Sequence, residues 1–411
     1  MRTPLRSRGL TWLLLAACLP LPAFALRLGF ASTGTGVATA LYGLAVAGAA
    51  FLLTWASEAA ETEVSQALAL AVLALVAVLP EYAVDLSFAW TAGHRPEYAA
   101  FATANMTGSN RLLVGVGWAA VMGVFWYTQR RSVLRLQRSH ALEVAVLLAA
   151  TLYSFVLPLK GSLAWYDAVV LLGLFALYLR LAARTPGEAV ALIGPAALIG
   201  ALPRPARRAA LAGLFLYAAV VIALCAEAFA GGLVETGTAL GIDRFLLVQW
   251  VAPLASEAPE FIAAVLFTVR GRASAGMGAL IASKVNQWTL LIAGLPLAYA
   301  LSRGGLHALP LDARQVEELL LTAAQSLFAV AVIASLSISL AEAAALLGLF
   351  VVQLVLPGRE PRLALSGLYL ALALLMFWRQ RREAAAVVRV LLGRAPAGPA
   401  DEHAAASGLR D

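Results

Sequence analysis

Two Pro-Glu pairs, Pro80-Glu81 and Pro259-Glu260, interrupt long apolar stretches of the chain. Proline has no N–H to donate and frees a backbone carbonyl about one turn earlier. Broken backbone of this kind is tolerated at membrane depth only where protein or a wet cavity surrounds it. A carboxylate in such a place costs several kcal/mol unless it is protonated, paired or bound to a cation. Carboxylate and carbonyl oxygens are the ligands that hard cations prefer. Each pair is therefore a candidate for half of a cation site, the alternative being a structural carboxylate that is protonated or paired. Each is followed, on the next apolar stretch, by a run of small and amide-bearing residues. These are Asn105-Met106-Thr107-Gly108-Ser109-Asn110 and, from Gly278 onward, Ala282-Ser283-Lys284-Val285-Asn286-Gln287. A further carboxylate precedes the second pair in Ser256-Glu257-Ala258-Pro259-Glu260.

The elements that carry these residues are membrane helices. Of 411 residues, 62% are hydrophobic and 13% charged, with mean hydropathy +0.84. An average soluble protein is about half apolar and a quarter charged, so soluble enzymes, nucleic-acid binders and disordered scaffolds are excluded. The net charge of +7 does not signal a nucleic-acid partner, because the basic residues cluster in short gaps between apolar runs, the pattern of cytoplasmic loops. Two cysteines, Cys18 and Cys225, make neither a disulfide framework nor a zinc site. Spanning segments, each near the roughly 20 residues a bilayer requires, fall at 36–60, 65–91, 98–126, 141–157, 163–182, 208–231, 244–268, 274–301, 318–338, 340–356 and 363–378. Residues 1–25 read as a signal peptide or an extra transmembrane helix. Arg2, Arg6 and Arg8 precede an apolar stretch, and Ala23-Phe24-Ala25 has the small-x-small form of a cleavage site.

Basic loops follow the third, fifth, seventh and eleventh spans: Arg130 to Arg138, Arg180 to Arg208, Arg270 with Arg272, and Arg379 to Arg382. One parity puts all of them in the cytoplasm. The stretch 183–207, with Pro186, Pro195, Pro203 and Pro205, divides the membrane part into halves of five spans, 36–182 and 208–356. Five is odd, so the second half enters the membrane in the opposite sense. The expected fold is all-α and polytopic: two inverted five-helix repeats, an extra helix at 363–378 and a cytoplasmic tail at 379–411, disordered from Gly393.

With these motifs in matching spans of both halves, the sequence resembles the cation/calcium antiporter superfamily, the sodium/calcium exchanger type. That family carries two inverted repeats, each approximating G-T-S-x-P-E on one helix and G-N-x-x-G-S-N on the next. The resemblance implies that Glu81 and Glu260 are the central metal ligands, that Asn105, Ser109 and Asn110 match the first repeat, and that Ser256 and Ser283 match the second. It also implies a secondary antiporter of a divergent bacterial type in the inner membrane, moving calcium or another cation against sodium or protons.

The chain departs from that pattern at several positions. Val76-Ala77-Val78 has no hydroxyl, Glu257 stands where a serine is expected, and Lys284 stands for the last Asn of the second motif. Leu113 and Gln287 occupy positions often held by Asn or Asp, and Arg111 one that is usually apolar. Sodium sites built from hydroxyls and carbonyls are depleted. Lys284 is then either a tethered cation paired with Glu257 or Glu260 and tied to proton-coupled exchange, or a structural partner of Glu257. Arg111 reads as a counter-ion or a snorkelling residue.

Other candidates are left open. Glu58, Glu61 and Glu63 close the first span, and Glu227 and Glu235 sit similarly in the sixth. They are either acidic mouths that concentrate cations or solvated helix ends. Asp85, one turn beyond Glu81, lines a path or bonds a neighbour; Glu342 falls near an interface. His94, His140, His307 and His403 fall in predicted loops or the tail and suggest no metal cluster. No H-E-x-x-H, G-x-S-x-G or phosphate-cradling glycine loop points to a membrane enzyme. The expected ligands are transported cations (calcium, sodium or protons) with no cofactor, and the expected surroundings are lipid. The alternative function is a non-transporting sensor or assembly factor that retains the fold. The sequence does not specify an oligomeric state.

Overall fold

A computed structural model describes residues 3–184, 192–241, 250, 252–356, 358–383, 385 and 389. The chain opens with α1 (Thr3–Cys18) and α2 (Leu21–Arg27), which pack on α3 (Thr35–Ala60). The second span is split into α4 (Gln66–Ala77) and α5 (Leu79–Ala92). The third is α6 (Tyr98–Leu112) and α7 (Trp118–Gln129), joined by a π turn at Leu113–Gly117. Then follow β1 (Val133–Arg135), α8 (Ala141–Ser154), α9 (Val156–Lys160), β2 (Ser162–Leu163), α10 (Trp165–Ala182) and α11 (Gly194–Gly200). The second half begins with α12 (Arg204–Ala239) and continues with α13 (Ala252–Ser256) and α14 (Ala258–Val269). Next come α15 (Ala273–Asn286), a second π turn at Gln287–Leu291 and α16 (Ile292–Arg303). The chain closes with β3 (Leu309–Pro310), α17 (Ala313–Ile333), β4 (Ser337–Ser339), α18 (Leu340–Val355) and α19 (Arg359–Arg379).

Among the described residues, eight helical runs are long and apolar enough to cross a membrane. The shorter apolar helices α4, α14 and α18 add to them. The protein is therefore a multi-pass membrane protein. The sixth span, expected at 208–231, is a single 36-residue helix, α12. The start of the seventh, 244–249, lies outside the described residues, as do 185–191 of the expected linker and the tail from 390.

The helices sort by burial. In α17, 83% of the apolar window is covered by protein, against 22% in α19, so α17 lies at the centre and α19 at the lipid-facing rim. Between them, Ala373 and Tyr369 of α19 close over Phe328 of α17. The long helices α3 and α12 pack against each other at residues with little side chain. A Cβ on Gly43 would stand 2.8 Å from the Phe229 ring, and one on Gly232 would collide with Thr39. Close approach through small residues is a common way for membrane helices to associate.

Two short antiparallel ribbons tie the halves together. Strand β1 pairs with β4 in the register Leu134↔Ile338, and β2 with β3 in the register Leu163↔Leu309. The first joins the loops after the third and ninth spans, the second those after the fourth and eighth. Each ribbon thus links loops of the same parity, which an alternating path through a membrane requires.

Two expectations are corrected. Glu58, Glu61 and Glu63 are not solvated helix ends. Glu58 pairs with Arg270 at 3.1 Å and Glu61 with Arg272 at 2.6 Å, while Glu63 is held by Arg207 and by Arg208 at 2.8 Å. Each carboxylate meets an arginine from the second half, a contact that spacing within one helix could not show. Their expected counterparts in α12, Glu227 and Glu235, are exposed. The second correction is His140. It lies in a short turn before α8 as a loop residue should, yet it is fully buried. Glu342 completes a capping box with Ser339 at the start of α18.

Candidate functional site

The two Pro-Glu pairs have the same local construction. The chain breaks at Val78 before α5 and at Glu257 before α14, and in both helices proline is the second residue and glutamate the third. Having no N–H, the prolines leave the carbonyls of Val76 and Ala255 without the donor an unbroken helix would supply. The positive ends of α5 and α14 favour negative charge beside them. Glu81 and Glu260 thus stand in the first turn of a half-helix, both buried.

The motif helices α6 and α15 complete the site. Gln287, first residue of the second π turn, donates one amide hydrogen to Glu81 Oε2 at 2.9 Å and the other to Glu257 Oε1 at 3.0 Å. One side chain of the second half therefore bridges carboxylates from both halves. The Lys284 ammonium donates to the Asn110 carbonyl at 2.7 Å and to its Oδ1 at 2.9 Å. It also lies 5.2 Å from the centre of the Trp288 ring. The Asn110 amide is oriented for this by its own donation to the Met106 carbonyl at 2.9 Å. Lys284 is fully buried, so its charge depends on these partners. The expected ion pair of Lys284 with Glu257 or Glu260 is not formed.

What remains unbonded is concentrated on the carboxylates. Glu81 Oε1, Glu257 Oε2 and both oxygens of Glu260 are buried and lack a well-formed hydrogen bond, with the Ser109 hydroxyl beside Glu81 and the Ser283 hydroxyl also unbonded. Glu81, Glu257 and Glu260 lie close enough to repel one another. Buried polar atoms are nearly always bonded, so these carboxylate oxygens are the atoms with which a positive ligand would pair. Among the described residues, no three acidic, imidazole or thiol groups meet at metal-binding spacing in this conformation.

The other expected residues fall around this centre. Ser256 turns back onto the Pro253 carbonyl at 3.1 Å. Asn105 does not point at Glu81; it donates to Asp85 Oδ1 at 2.8 Å, which resolves the role left open for Asp85. Arg111 faces away from the site. It pairs with Glu318 of α17 at 2.6 Å, and Glu318 pairs in turn with Arg362 of α19 at 3.0 Å. Arg111 also lies 5.3 Å from the Trp250 ring centre. These contacts tie the motif helix α6 to the central helix α17 and, through Glu318, to α19. Two contacts escaped the sequence reading: Tyr82 donates to Asn286 Oδ1 at 2.7 Å, joining α5 to α15, and Trp288 donates to Ser326 at 2.8 Å. Tyr82 directly follows Glu81, and Asn286 lies within the quoted motif, so both were within reach of a pairing argument.

The family model of the sodium/calcium exchanger protein matches residues 33–183 and 210–358, well over half the chain. The chain belongs to this family. Among solved structures, this family member is similar to the H+/Ca2+ exchanger CAX, with 47% identity and a TM-score of 0.83. The match covers 93% of this chain and 97% of that one. It is also similar to the sodium-calcium exchanger NCX_Mj soaked with Na+ and Sr2+, at 18% identity and TM-score 0.58, covering 78% and 98%. At that identity the second likeness speaks for the fold alone. A comparison with curated proteins finds no match.

Proposed function

We propose that this exchanger-family protein is a secondary antiporter that moves calcium across the cell membrane against protons, with Glu81, Glu257 and Glu260 as the oxygen cage. The observation that carries the reading is the group of buried carboxylate oxygens on Glu81, Glu257 and Glu260, contributed by both halves, that lack well-formed hydrogen bonds. Calcium takes six to eight oxygens in flexible geometry. The carboxylates would close on the ion together with the carbonyls freed at the prolines. Protons are favoured over sodium as the coupling ion for two reasons. The hydroxyls expected in sodium sites are missing at Ala77 and Val78. The 47% identical neighbour is named as an H+/Ca2+ exchanger. Lys284 places its amino group on Asn110, where another cation would otherwise find oxygen ligands. On this reading the halves 36–182 and 208–356 are inverted repeats, with the basic loops in the cytoplasm.

The test is calcium flux in proteoliposomes of the purified protein, with proton and sodium gradients imposed separately. Wild type should move calcium under a proton gradient, and Glu81→Gln and Glu260→Gln should each lower the flux at least 100-fold, about 3 kcal/mol of lost ion stabilisation. Flux driven by sodium alone would change the coupling ion. If the folded wild type moves no cation under either gradient, the protein is a non-transporting member of the fold.

A further inference from the structure

A second group of buried, unpartnered polar atoms lies apart from the carboxylates, towards the face that carries the basic loops. His140 and Glu143 are both fully buried, and neither imidazole nitrogen nor either Glu143 oxygen has a hydrogen-bond partner. His140 Nδ1 stands 3.9 Å from Glu143 Oε1, one helical turn along, too far for a hydrogen bond. The Tyr178 hydroxyl of α10, also buried and unpartnered, lies beside Glu143. The imidazole is pressed against α15 at Gly278, where any Cβ would collide with three ring atoms. Glycine is therefore needed there to admit the ring. An acid, a base and a hydroxyl held in apolar surroundings with nothing bonded to any of them is an arrangement that a structural role does not explain.

We infer that His140, Glu143 and Tyr178 form a proton-binding site separate from the central carboxylates. The proton adds to the imidazole lone pair and gives an imidazolium–carboxylate pair. A contraction of about 1 Å then makes one charge-assisted hydrogen bond in place of two orphaned groups. The proton reaches the site from the basic face. Glu61, at the end of α3, lies within electrostatic reach of His140 on that side and is itself paired with Arg272. The charged and titratable groups around the imidazole are thus Glu143 from α8, with Tyr178 of α10 beside that carboxylate, and Glu61 with Arg272 from the loop side. Gly278 of α15 lies against the ring, Ser274 of the same helix accepts from the Gln137 N–H at 2.9 Å, and Arg138 in the same turn as His140 is exposed. Because the ring rests on the helix that carries Lys284 and runs directly into Gln287, loading the site bears on the rod that positions the central bridge.

The experiment is nitrogen-15 NMR of the full-length protein in lipid nanodiscs with ring-labelled histidines. One signal should disappear in His140→Gln. In wild type that signal should change protonation state between about pH 5 and 9. Glu143→Gln should weaken proton uptake at it about tenfold or more, as expected when a facing carboxylate is neutralised. A His140 ring held in one neutral tautomer across that range in wild type would overturn the inference. If His140→Gln does not fold, the wild-type titration still decides. The measurement involves no transport, so its failure would leave the antiporter reading untouched, and a failed flux assay would leave this site standing.

Discussion

In the first half, α6, its π turn and α7 run 15, 5 and 12 residues; in the second, α15, its π turn and α16 run 14, 5 and 12. The Pro-Glu helices likewise break one residue before their first turn in both halves. The chemistry placed on this common frame differs. The first half offers acceptors: the Glu81 carboxylate and the Asn110 carbonyl and Oδ1. The second offers the donors that meet them, Lys284 and Gln287, together with two further carboxylates. Backbone breaks set where a site can be, while side chains decide which charges a half brings to it. Here the halves have become complementary, so each satisfies polar atoms that the other cannot.

Removing the donor that the second half supplies should break this complementarity most severely. Lys284→Met strands the Asn110 carbonyl and Oδ1 in the interior, at about 1–3 kcal/mol for each unsatisfied group. The variant should unfold at clearly lower temperature in detergent than wild type, and Asn110→Ala should lose much less of its stability in that background than in wild type. A smaller loss is expected from Arg111→Met. Breaking a buried ion pair costs about 3–5 kcal/mol when the partner is left alone. Arg362 still holds Glu318 at 3.0 Å, so the cost should fall below that range, and it should rise into it in the Arg111→Met, Arg362→Met double variant. Gln287→Leu sharpens the comparison by giving the second half the apolar residue found at Leu113. Two hydrogen bonds to carboxylates are lost, about 2 kcal/mol together or somewhat more. Calcium should narrow the thermal-stability gap to wild type, because a bound ion replaces the missing donor.

The smallest effect belongs to the acidic end of α3. Hydrogen bonds from Arg207 and Arg208 hold the Glu63 carboxyl below its ordinary value of 4.5. A carboxylate with a lowered folded-state value stabilises the fold above its unfolded value and loses that contribution as pH falls through the folded one. Wild type and Glu63→Gln should therefore differ slightly in unfolding temperature near neutral pH and converge in acid below about 4.5. A gap that widens in acid would contradict the pairing.

The membrane class and the spans were legible because apolar run length and basic loops are local properties of the chain. Pro80 and Pro259 marked the helix breaks for the same reason. Partners across the interface were not legible. Lys284 looked destined for Glu257 or Glu260 because those acids share its half, but the fold turns it to Asn110 in the other. Asn105 resembled a ligand and instead bonds Asp85, one turn further along the partner helix than the motif. His140 seemed a loop residue since sequence position says nothing of what packs over a turn, and Glu143, an acid in an apolar span, was the clue beside it.

The ribbon of β1 with β4 joins a strand from the first half to one from the second. During synthesis the first half is inserted while Glu81 and Asn110 wait for Gln287 and Lys284, which have yet to be translated. Contacts so distant in sequence form late, and domains emerging early normally settle before the rest is made. This chain cannot follow that order. Its leading half leaves the ribosome with buried acceptors exposed to lipid and must be held by the insertion machinery until the trailing half arrives. A message truncated after residue 182 should accordingly yield a fragment that is degraded rather than stored.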